Sequence, residues 1–202
     1  MKNLFIYIHG KGGSPAEAAH YIPLIPKGEI IGFDYRSETP WEAINEFQVF
    51  FDAVSAGYDN TYVIANSIGA FFALCSLGEK QIRKAFFISP VVNMEKLISD
   101  MMTWANVTEK ELQEKQTVET SFGETLSWNY LQWVIEHPIR WNIPTEILYG
   151  ANDNLQSFDT VNQFAKEHRA KVSVMENGEH WFHTDEQMLF LDDWLKSRIS
   201  AG

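Results

Sequence analysis

The chain has 202 residues, of which 45% are hydrophobic, 14% aromatic and 21% charged. This composition is typical of a folded globular domain, and a chain of this length can bury a core without disulfides or a structural metal. The 16 Lys and Arg residues are outnumbered by 27 Asp and Glu residues, and the net charge of −11 argues against nucleic acid and acidic membranes as partners.

The N-terminal apolar run, residues 4–8, is shorter than the apolar region of a signal peptide. No apolar stretch approaches the length of a transmembrane helix, so we expect a cytoplasmic protein with no membrane insertion. The lone Cys75 excludes an internal disulfide framework. Because Cys75 lies within an apolar run, we expect it to be a small buried core residue.

Short apolar runs alternate with longer helical patterns along most of the chain. This alternation predicts a single α/β domain over residues 1–202, with a doubly wound, mostly parallel sheet covered by helices on both faces. The predicted strands are 4–9, 29–35, 61–66, 84–89, 145–149 and 171–176. The predicted helices are 14–24, 40–56, 68–78, 158–168 and 186–199.

Residues 91–141 interrupt this alternation with helical segments, two charge-rich stretches at 108–115 and 119–124, and no convincing strand. We therefore predict a helical cap insertion. Its aromatic residues could line an apolar pocket for a substrate, although ordinary packing between helices explains their spacing at least as well. These residues are Trp104, Phe122, Trp128, Tyr130, Trp133 and Trp141.

The sequence around Ser67, Ala65-Asn66-Ser67-Ile68-Gly69, lies between a predicted strand and a predicted helix. It nearly matches the nucleophile elbow Gly-x-Ser-x-Gly, with Ala65 in place of the first glycine. Small residues on both sides of the serine allow the sharp turn that presents its hydroxyl above the sheet. Ser67 is therefore the candidate nucleophile.

A serine nucleophile needs a histidine base and a carboxylate that orients the base. Asp153 follows the predicted strand 145–149, and His180 follows the predicted strand 171–176, so both occupy the carboxyl edge of a parallel sheet. Asp153 could instead cap the next helix, and Asp159 lies nearby. His183 competes with His180, but His180 is preferred because it comes directly after the strand and a Gly-bearing turn.

Four motifs in this order, His9-Gly10, Ala65-x-Ser67-x-Gly69, Gly150-x-x-Asp153 and Gly178-x-His180, resemble those of the α/β-hydrolase superfamily. The resemblance covers nearly the whole chain outside the cap. It implies that the first two strands of larger members are missing here, at the N-terminus. It also implies that the backbone N–H groups of Ile68 and of Lys11, or less favourably Gly12, form an oxyanion hole.

The resemblance further implies that His9 ties down the oxyanion loop and that Asp34 organises a loop. The remaining histidines, His20, His137 and His168, are interpreted as surface or packing residues. A catalytic triad needs no metal or cofactor, and His180, His183 and Asp185 form no established metal-ligand spacing.

The predicted function is a serine hydrolase that cleaves a small carboxylic ester, with a small-molecule acyl substrate as its partner. One alternative is a catalytically inactive binding or regulatory protein with the same fold. Another is a dinucleotide-binding protein, because Gly10-x-Gly12 follows a strand and Asp34 ends the next one. That fingerprint lacks its third glycine, since position 15 is Pro15.

Overall fold

A computed structural model describes residues 1–200. The chain divides into two compact units. The first consists of Met1–Val92 and the chain from Arg140 onward, and the second is Asn93–Ile139. The first unit contains a six-stranded sheet, and the second a two-stranded one.

The strands are β1 (Asn3–Ile8), β2 (Glu29–Phe33), β3 (Asn60–Asn66), β4 (Lys84–Ile88), β5 (Thr117–Glu119), β6 (Thr125–Ser127), β7 (Thr145–Asn152) and β8 (Lys171–Glu179). The α-helices are α1 (Ala18–Tyr21), α2 (Pro40–Ser55), α3 (Ser67–Ser76), α4 (Met94–Trp104), α5 (Glu109–Lys115), α6 (Trp128–Glu136), α7 (Phe158–Glu167) and α8 (Asp185–Ser200). Among these described helices, none is long and apolar enough to span a bilayer.

The six-stranded sheet has the order β2-β1-β3-β4-β7-β8, and each neighbouring pair of strands is parallel. The chain leaves β1 towards β2 on one side and then returns to add β3 on the other side. The carboxyl ends of β1 and β3 are consequently adjacent, with Ile8 paired to Ala65. Ligand sites of open α/β sheets lie at such a switch point, so the topology favours a site where β1 and β3 end.

Both faces of the sheet are buried, as the alternation of side chains along β4 shows. Phe86 points to the face covered by α8 and packs edge-on against Trp194, with 6.3 Å between ring centroids. The next residue, Phe87, points to the opposite face and packs against Trp141 at 5.6 Å. Trp141 is thus a core residue of the first unit, only 1% exposed, and this corrects its prediction as a cap residue.

The second unit contains α4, α5, α6 and the antiparallel hairpin of β5 and β6. The hairpin is a correction, because we predicted no strand here. Gly123, at φ +85°, forms the turn between the strands, and the Thr120 N–H and hydroxyl both donate to the Glu124 carbonyl at 2.8 Å. Of the two charge-rich stretches, 108–115 contains α5, whereas 119–124 lies in the hairpin.

Two other predicted elements differ from the structure. The helix predicted over 14–24 consists of two 3₁₀ turns, Pro15–Glu17 and Ile22–Leu24, on either side of α1, because Pro23 cannot donate a helical hydrogen bond. The last strand continues to Glu179. His180 therefore follows β8 directly, without the predicted Gly-bearing turn.

Candidate active site

Ser67 occupies a sharp turn between β3 and α3 and has a backbone φ of +49°. A positive φ is strained for a residue other than glycine, as expected for a nucleophile elbow. The surrounding backbone is crowded, because a Cβ on Gly69 would lie 2.3 Å from the His9 carbonyl oxygen. A Cβ on Gly10 would lie 3.2 Å from that of Ser67. Gly10 and Gly69 thus allow the end of β1 to approach the elbow closely.

Ser67, His180 and Asp153 form one line of hydrogen bonds. The Ser67 Oγ lies 2.8 Å from Nε2 of His180, and Nδ1 of His180 lies 2.7 Å from Oδ2 of Asp153. A carboxylate can only accept, so Nδ1 carries the proton and Nε2 is left to accept the Ser67 hydroxyl proton. The structure therefore brings together the three residues that the sequence nominated, in the geometry of a nucleophile, a base and an orienting acid.

The Asp153 side chain is only 1% exposed, and both of its carboxylate oxygens accept hydrogen bonds. Its Oδ1 accepts the backbone N–H groups of Leu155 at 2.8 Å and Gln156 at 3.1 Å, while Oδ2 faces His180. Three donors hold this buried charge in one orientation. Asp153 does not cap the next helix, because Ser157 is the N-cap of α7 and accepts the N–H of Thr160.

Two glycines allow β7 and β8, the strands before Asp153 and His180, to approach closely at this edge of the sheet. A Cβ on Gly150 would lie 2.5 Å from the carbonyl carbon of Gly178, so neither β7 nor β8 leaves room for a side chain there. The pairing is irregular between Gly150 and Asn152. This close approach places Asp153 and His180 on neighbouring chain segments.

The loop after β1 carries the candidate oxyanion donor Lys11 directly after Gly10, which packs against Ser67. Ile68 is in the first turn of α3, where backbone N–H groups have no partner within the helix. Both amides therefore belong to segments beside Ser67.

His9 is 9% exposed and stacks on Tyr35, with ring centroids 4.4 Å apart. Its Nδ1 donates to the Gly10 carbonyl at 2.9 Å, and Tyr35 donates its hydroxyl to the His9 carbonyl at 2.8 Å. These bonds fit the expected structural role of His9. The loop after β2 is organised differently from our expectation: Asp34 is exposed, and the Glu46 carboxylate accepts the N–H groups of Arg36 and Ser37.

A polar cluster that the sequence did not predict lies beside the elbow, with only Tyr7 fully buried. Asn66, the residue before Ser67, donates its side-chain amide to the Tyr7 hydroxyl at 3.0 Å, and Tyr7 donates to Glu17. Burial, with the neighbouring Tyr21 and Glu17, raises the pKa of the Tyr7 hydroxyl well above its usual value. Glu17 also accepts the Ser14 N–H at 2.9 Å. The cluster thus ties the loop after β1 to the elbow.

Gln156 connects the loop that carries Asp153 to the backbone around Ser67. Its Oε1 accepts the N–H of Val92 at 3.1 Å, and the adjacent Val91 donates its N–H to the Ser67 carbonyl at 3.1 Å. Gln156 is 1% exposed, and its own N–H binds Asp153. No sequence motif identified this residue, because a lone glutamine in a loop carries no such signal.

The other histidines have partners away from Ser67. His183 stacks on Trp181 at 4.7 Å, and its Nδ1 lies 2.8 Å from the Trp181 carbonyl. Nitrogens of His20, His137 and His168 lie 2.7–2.9 Å from Asp192, the Trp133 carbonyl and the Trp141 carbonyl, respectively. Within residues 1–200, no three His, Cys, Asp or Glu side chains are grouped to hold a metal ion.

No protein-family model matches the chain, and no curated protein sequence does. Solved structures match over nearly its full length. Est1E from Butyrivibrio proteoclasticus is similar with a TM-score of 0.78 at 15% identity, over 98% of this chain and 87% of that one. The alpha/beta hydrolase domain-containing protein 10 from mouse has a TM-score of 0.75 at 17% identity, over 98% and 90%.

A lipase-esterase related protein from Clostridium acetobutylicum has a TM-score of 0.67 at 17% identity, over 96% of this chain and 93% of that one. Identities this low establish a shared architecture of sheet and helices. They confirm the fold predicted from the motifs: this chain has the α/β-hydrolase fold.

Proposed function

We propose that this protein is a serine hydrolase that cleaves a small carboxylic ester through an acyl-enzyme. The observation that carries the proposal is the continuous line of hydrogen bonds from Ser67 Oγ to His180 and on to Asp153, at 2.8 and 2.7 Å. A serine hydroxyl is a weak nucleophile by itself, and this arrangement supplies the base and the orienting acid that it lacks.

In the first half of the reaction, Nε2 of His180 removes the proton from Ser67 as Oγ attacks the ester carbonyl. The new C–O bond gives a tetrahedral oxyanion, and the buried Asp153 stabilises the imidazolium that forms. The Nε2 proton then passes to the leaving alcohol as the ester C–O bond breaks. Ser67 is left esterified, and His180 is neutral again.

In the second half, water takes the place of the alcohol. His180 removes a proton from water as its oxygen attacks the acyl-enzyme, and returns that proton to Ser67 Oγ when the acid leaves. In both halves we assign the N–H groups of Lys11 and Ile68 to the oxyanion. One such donor contributes on the order of 3 kcal/mol of transition-state stabilisation.

An ester is favoured over an amide, a thioester or a carbon–carbon bond by the similar structures, because one is described as a lipase-esterase related protein. Est1E is also described with ferulic acid bound, so an ester of an aromatic acid is the second substrate to test. We propose a small-molecule substrate and no nucleic-acid partner, in keeping with the net charge of −11.

The test compares p-nitrophenyl acetate hydrolysis by the wild type and by Ser67→Ala, together with a fluorophosphonate label located by mass spectrometry. We expect Ser67→Ala to lose at least about 1,000-fold in kcat and the label to be on Ser67. Ser55→Ala, at the end of α2, is the matched control and should keep full activity.

A label on another residue, or turnover retained in Ser67→Ala, would contradict the assignment of the nucleophile. A wild-type protein that neither turns over esters nor takes the label would instead support the alternative of a non-catalytic protein with this fold.

A further inference from the structure

The two candidate oxyanion donors belong to separate segments of the chain. Lys11 lies in the loop after β1, and Ile68 is in the first turn of α3. An oxyanion hole acts only when both N–H groups point at the same oxygen atom, so the spacing of the two segments affects the rate. A chain of hydrogen bonds joins these segments in the structure, and Tyr7 is at its centre.

The Tyr7 hydroxyl makes one hydrogen bond towards each segment. Its side chain is fully buried. The hydroxyl donates to the Glu17 carboxylate and accepts from Nδ2 of Asn66 at 3.0 Å. Burial is the largest of the effects that raise the pKa of Tyr7, so the hydroxyl keeps its proton at neutral pH and can donate and accept at once.

On one side, Glu17 holds the loop that carries Lys11. Its carboxylate accepts the Ser14 N–H at 2.9 Å. The loop is closed by a hydrogen bond from the Gly13 N–H to the Gly10 carbonyl at 3.1 Å. A Cβ on Gly13 would lie 2.8 Å from Oε1 of Glu17, so the carboxylate is in close contact with the loop. The position of Glu17 therefore influences the position of loop 10–14.

On the other side, Asn66 is the residue directly before the nucleophile and ends β3. The backbone turns sharply at Ser67, and Ile68 follows at once in α3. A hydrogen bond that fixes the Asn66 side chain therefore also restrains the start of α3, where the Ile68 N–H lies.

We propose that Tyr7 is a positioning residue that couples the two segments carrying the oxyanion donors, through Glu17 and Asn66. Its effect on rate rests on the proposed hydrolase function, whereas the coupling is a property of the fold. Hydrogen bonds that run in one direction, from Asn66 through Tyr7 to Glu17, strengthen one another. Loss of the hydroxyl should therefore loosen both segments together.

A local explanation of Glu17 makes a distinct prediction. Ser14 precedes the 3₁₀ turn Pro15–Glu17, so the bond from its N–H to Glu17 also caps that turn. If Glu17 only caps the turn, Glu17→Ala should disturb loop 10–14 and leave residues 66–69 unchanged. If Tyr7 couples the segments, Glu17→Ala should disturb both, although the elbow is about 50 residues away in sequence.

The test uses Tyr7→Phe, which keeps the ring and the bond from Ser14 to Glu17, and Glu17→Ala, at an exposed position. Tyr58→Phe is the matched control, because the Tyr58 hydroxyl donates to Glu29 at 2.6 Å, at the start of β2. Hydrogen–deuterium exchange with mass spectrometry reports on residues 10–14 and 66–69. Kinetics with p-nitrophenyl acetate and inhibition by a trifluoromethyl ketone, which forms a tetrahedral adduct with a serine, report on the oxyanion hole.

We expect amide exchange in both segments to be about fivefold faster in Tyr7→Phe and Glu17→Ala, and unchanged in Tyr58→Phe. The kcat of both variants should fall about tenfold at unchanged KM, and the inhibition constant of the ketone should rise by the same factor. The double variant should lose no more than Glu17→Ala, because both substitutions remove the same hydrogen bond.

Unchanged exchange at 66–69 in both variants would overturn the coupling, whether or not the wild type hydrolyses esters. Faster exchange in both segments with an unchanged kcat would overturn the positioning role. Faster exchange in the variants of a protein whose wild type hydrolyses no ester would support the coupling and contradict the proposed function alone.

Discussion

The two edges of the six-stranded sheet carry polar groups in opposite arrangements. At the carboxyl edge, each group of the triad has a specific partner, and Asp153 is bound by His180 and two backbone amides. At the amino edge, the buried Glu146 carboxylate lies 3.3–3.7 Å from nitrogens of Lys84, Lys171 and Arg198. The arrangement at the carboxyl edge therefore depends on the exact positions of its hydrogen-bonding groups, and that at the amino edge on the balance of charge around Glu146. Substitutions at the carboxyl edge should act on the rate of the proposed reaction, and those at the amino edge on stability.

The largest effect should come from His180, the proposed base at the carboxyl edge. His180→Ala removes the only imidazole that contacts Ser67 in the described chain, and we expect kcat for ester hydrolysis to fall about 10,000-fold. His183→Ala, three residues away, should keep kcat within about twofold of the wild type. Steady-state kinetics with p-nitrophenyl acetate measure both variants. A loss confined to His183→Ala would show that the other imidazole is the base.

At the amino edge, Glu146→Gln should destabilise the fold, because it leaves Lys84 and Arg198 without their buried counter-charge. Breaking a buried ion pair costs about 3 kcal/mol of unfolding free energy, which urea denaturation measures. Glu176→Gln, on the exposed side of β8, is the matched control and should change stability by less than about 0.5 kcal/mol.

Equal stability of Glu146→Gln and the wild type would show that water screens the ion pairs of Glu146. In that case, the contrast between the two edges would be wrong.

A smaller effect on rate is expected at Gln156, a positioning residue that touches no reacting atom. Gln156→Leu removes the acceptor for the Val92 N–H and should lower kcat about tenfold while leaving KM unchanged. The rate of fluorophosphonate labelling should fall in parallel, because that rate reports the alignment of Ser67. Gln163→Leu, on the exposed face of α7, should affect neither quantity. A change in stability alone, with normal kcat, would mean that Gln156 only packs the loop.

The smallest effect is expected for Ser157→Ala, and it is compared with the loss for Asp153→Asn, which should be as large as that for His180→Ala if Asp153 orients the imidazole. Ser157→Ala removes the cap and should cost about 1 kcal/mol of unfolding free energy without changing kcat. Asp153→Asn should instead lower kcat by about 10,000-fold, because the wrong tautomer of His180 is favoured. Comparable losses of activity in both variants would assign Asp153 a role in loop structure rather than in orienting the base.

Much of the carboxyl edge could be predicted from the sequence, because parallel strands bring the residues that follow them to one edge. Ser67, Asp153 and His180 each follow a recognisable apolar run, so the sequence alone implies that they lie close together. The strain at Ser67 followed from the small residues around it. The sequence did not reveal how β7 pairs with β8, or that β8 continues to the residue before His180. Both features depend on the contact of Gly150 with Gly178.

The amino edge could not be predicted. Lys84, Glu146 and Lys171 lie on three separate strands and Arg198 on α8, so only the order of the strands and the packing of α8 make them neighbours. The same holds for Gln156 and for the Tyr7–Glu17 pair, whose partners lie on other segments of the chain. The hairpin at 117–127 was missed because its strands have only three residues each and lie among charged side chains.

The placement of β8 has a consequence for refolding. This strand is at the edge of the sheet and pairs only with β7 in the described chain, and the contact that His180 makes with Ser67 joins residues 113 positions apart. Contacts so distant in sequence form slowly, after the local helices and turns. The recovery of ester hydrolysis after denaturation should therefore lag behind the recovery of helical circular dichroism. The rate at which ester hydrolysis recovers would then measure how fast β8 pairs with β7.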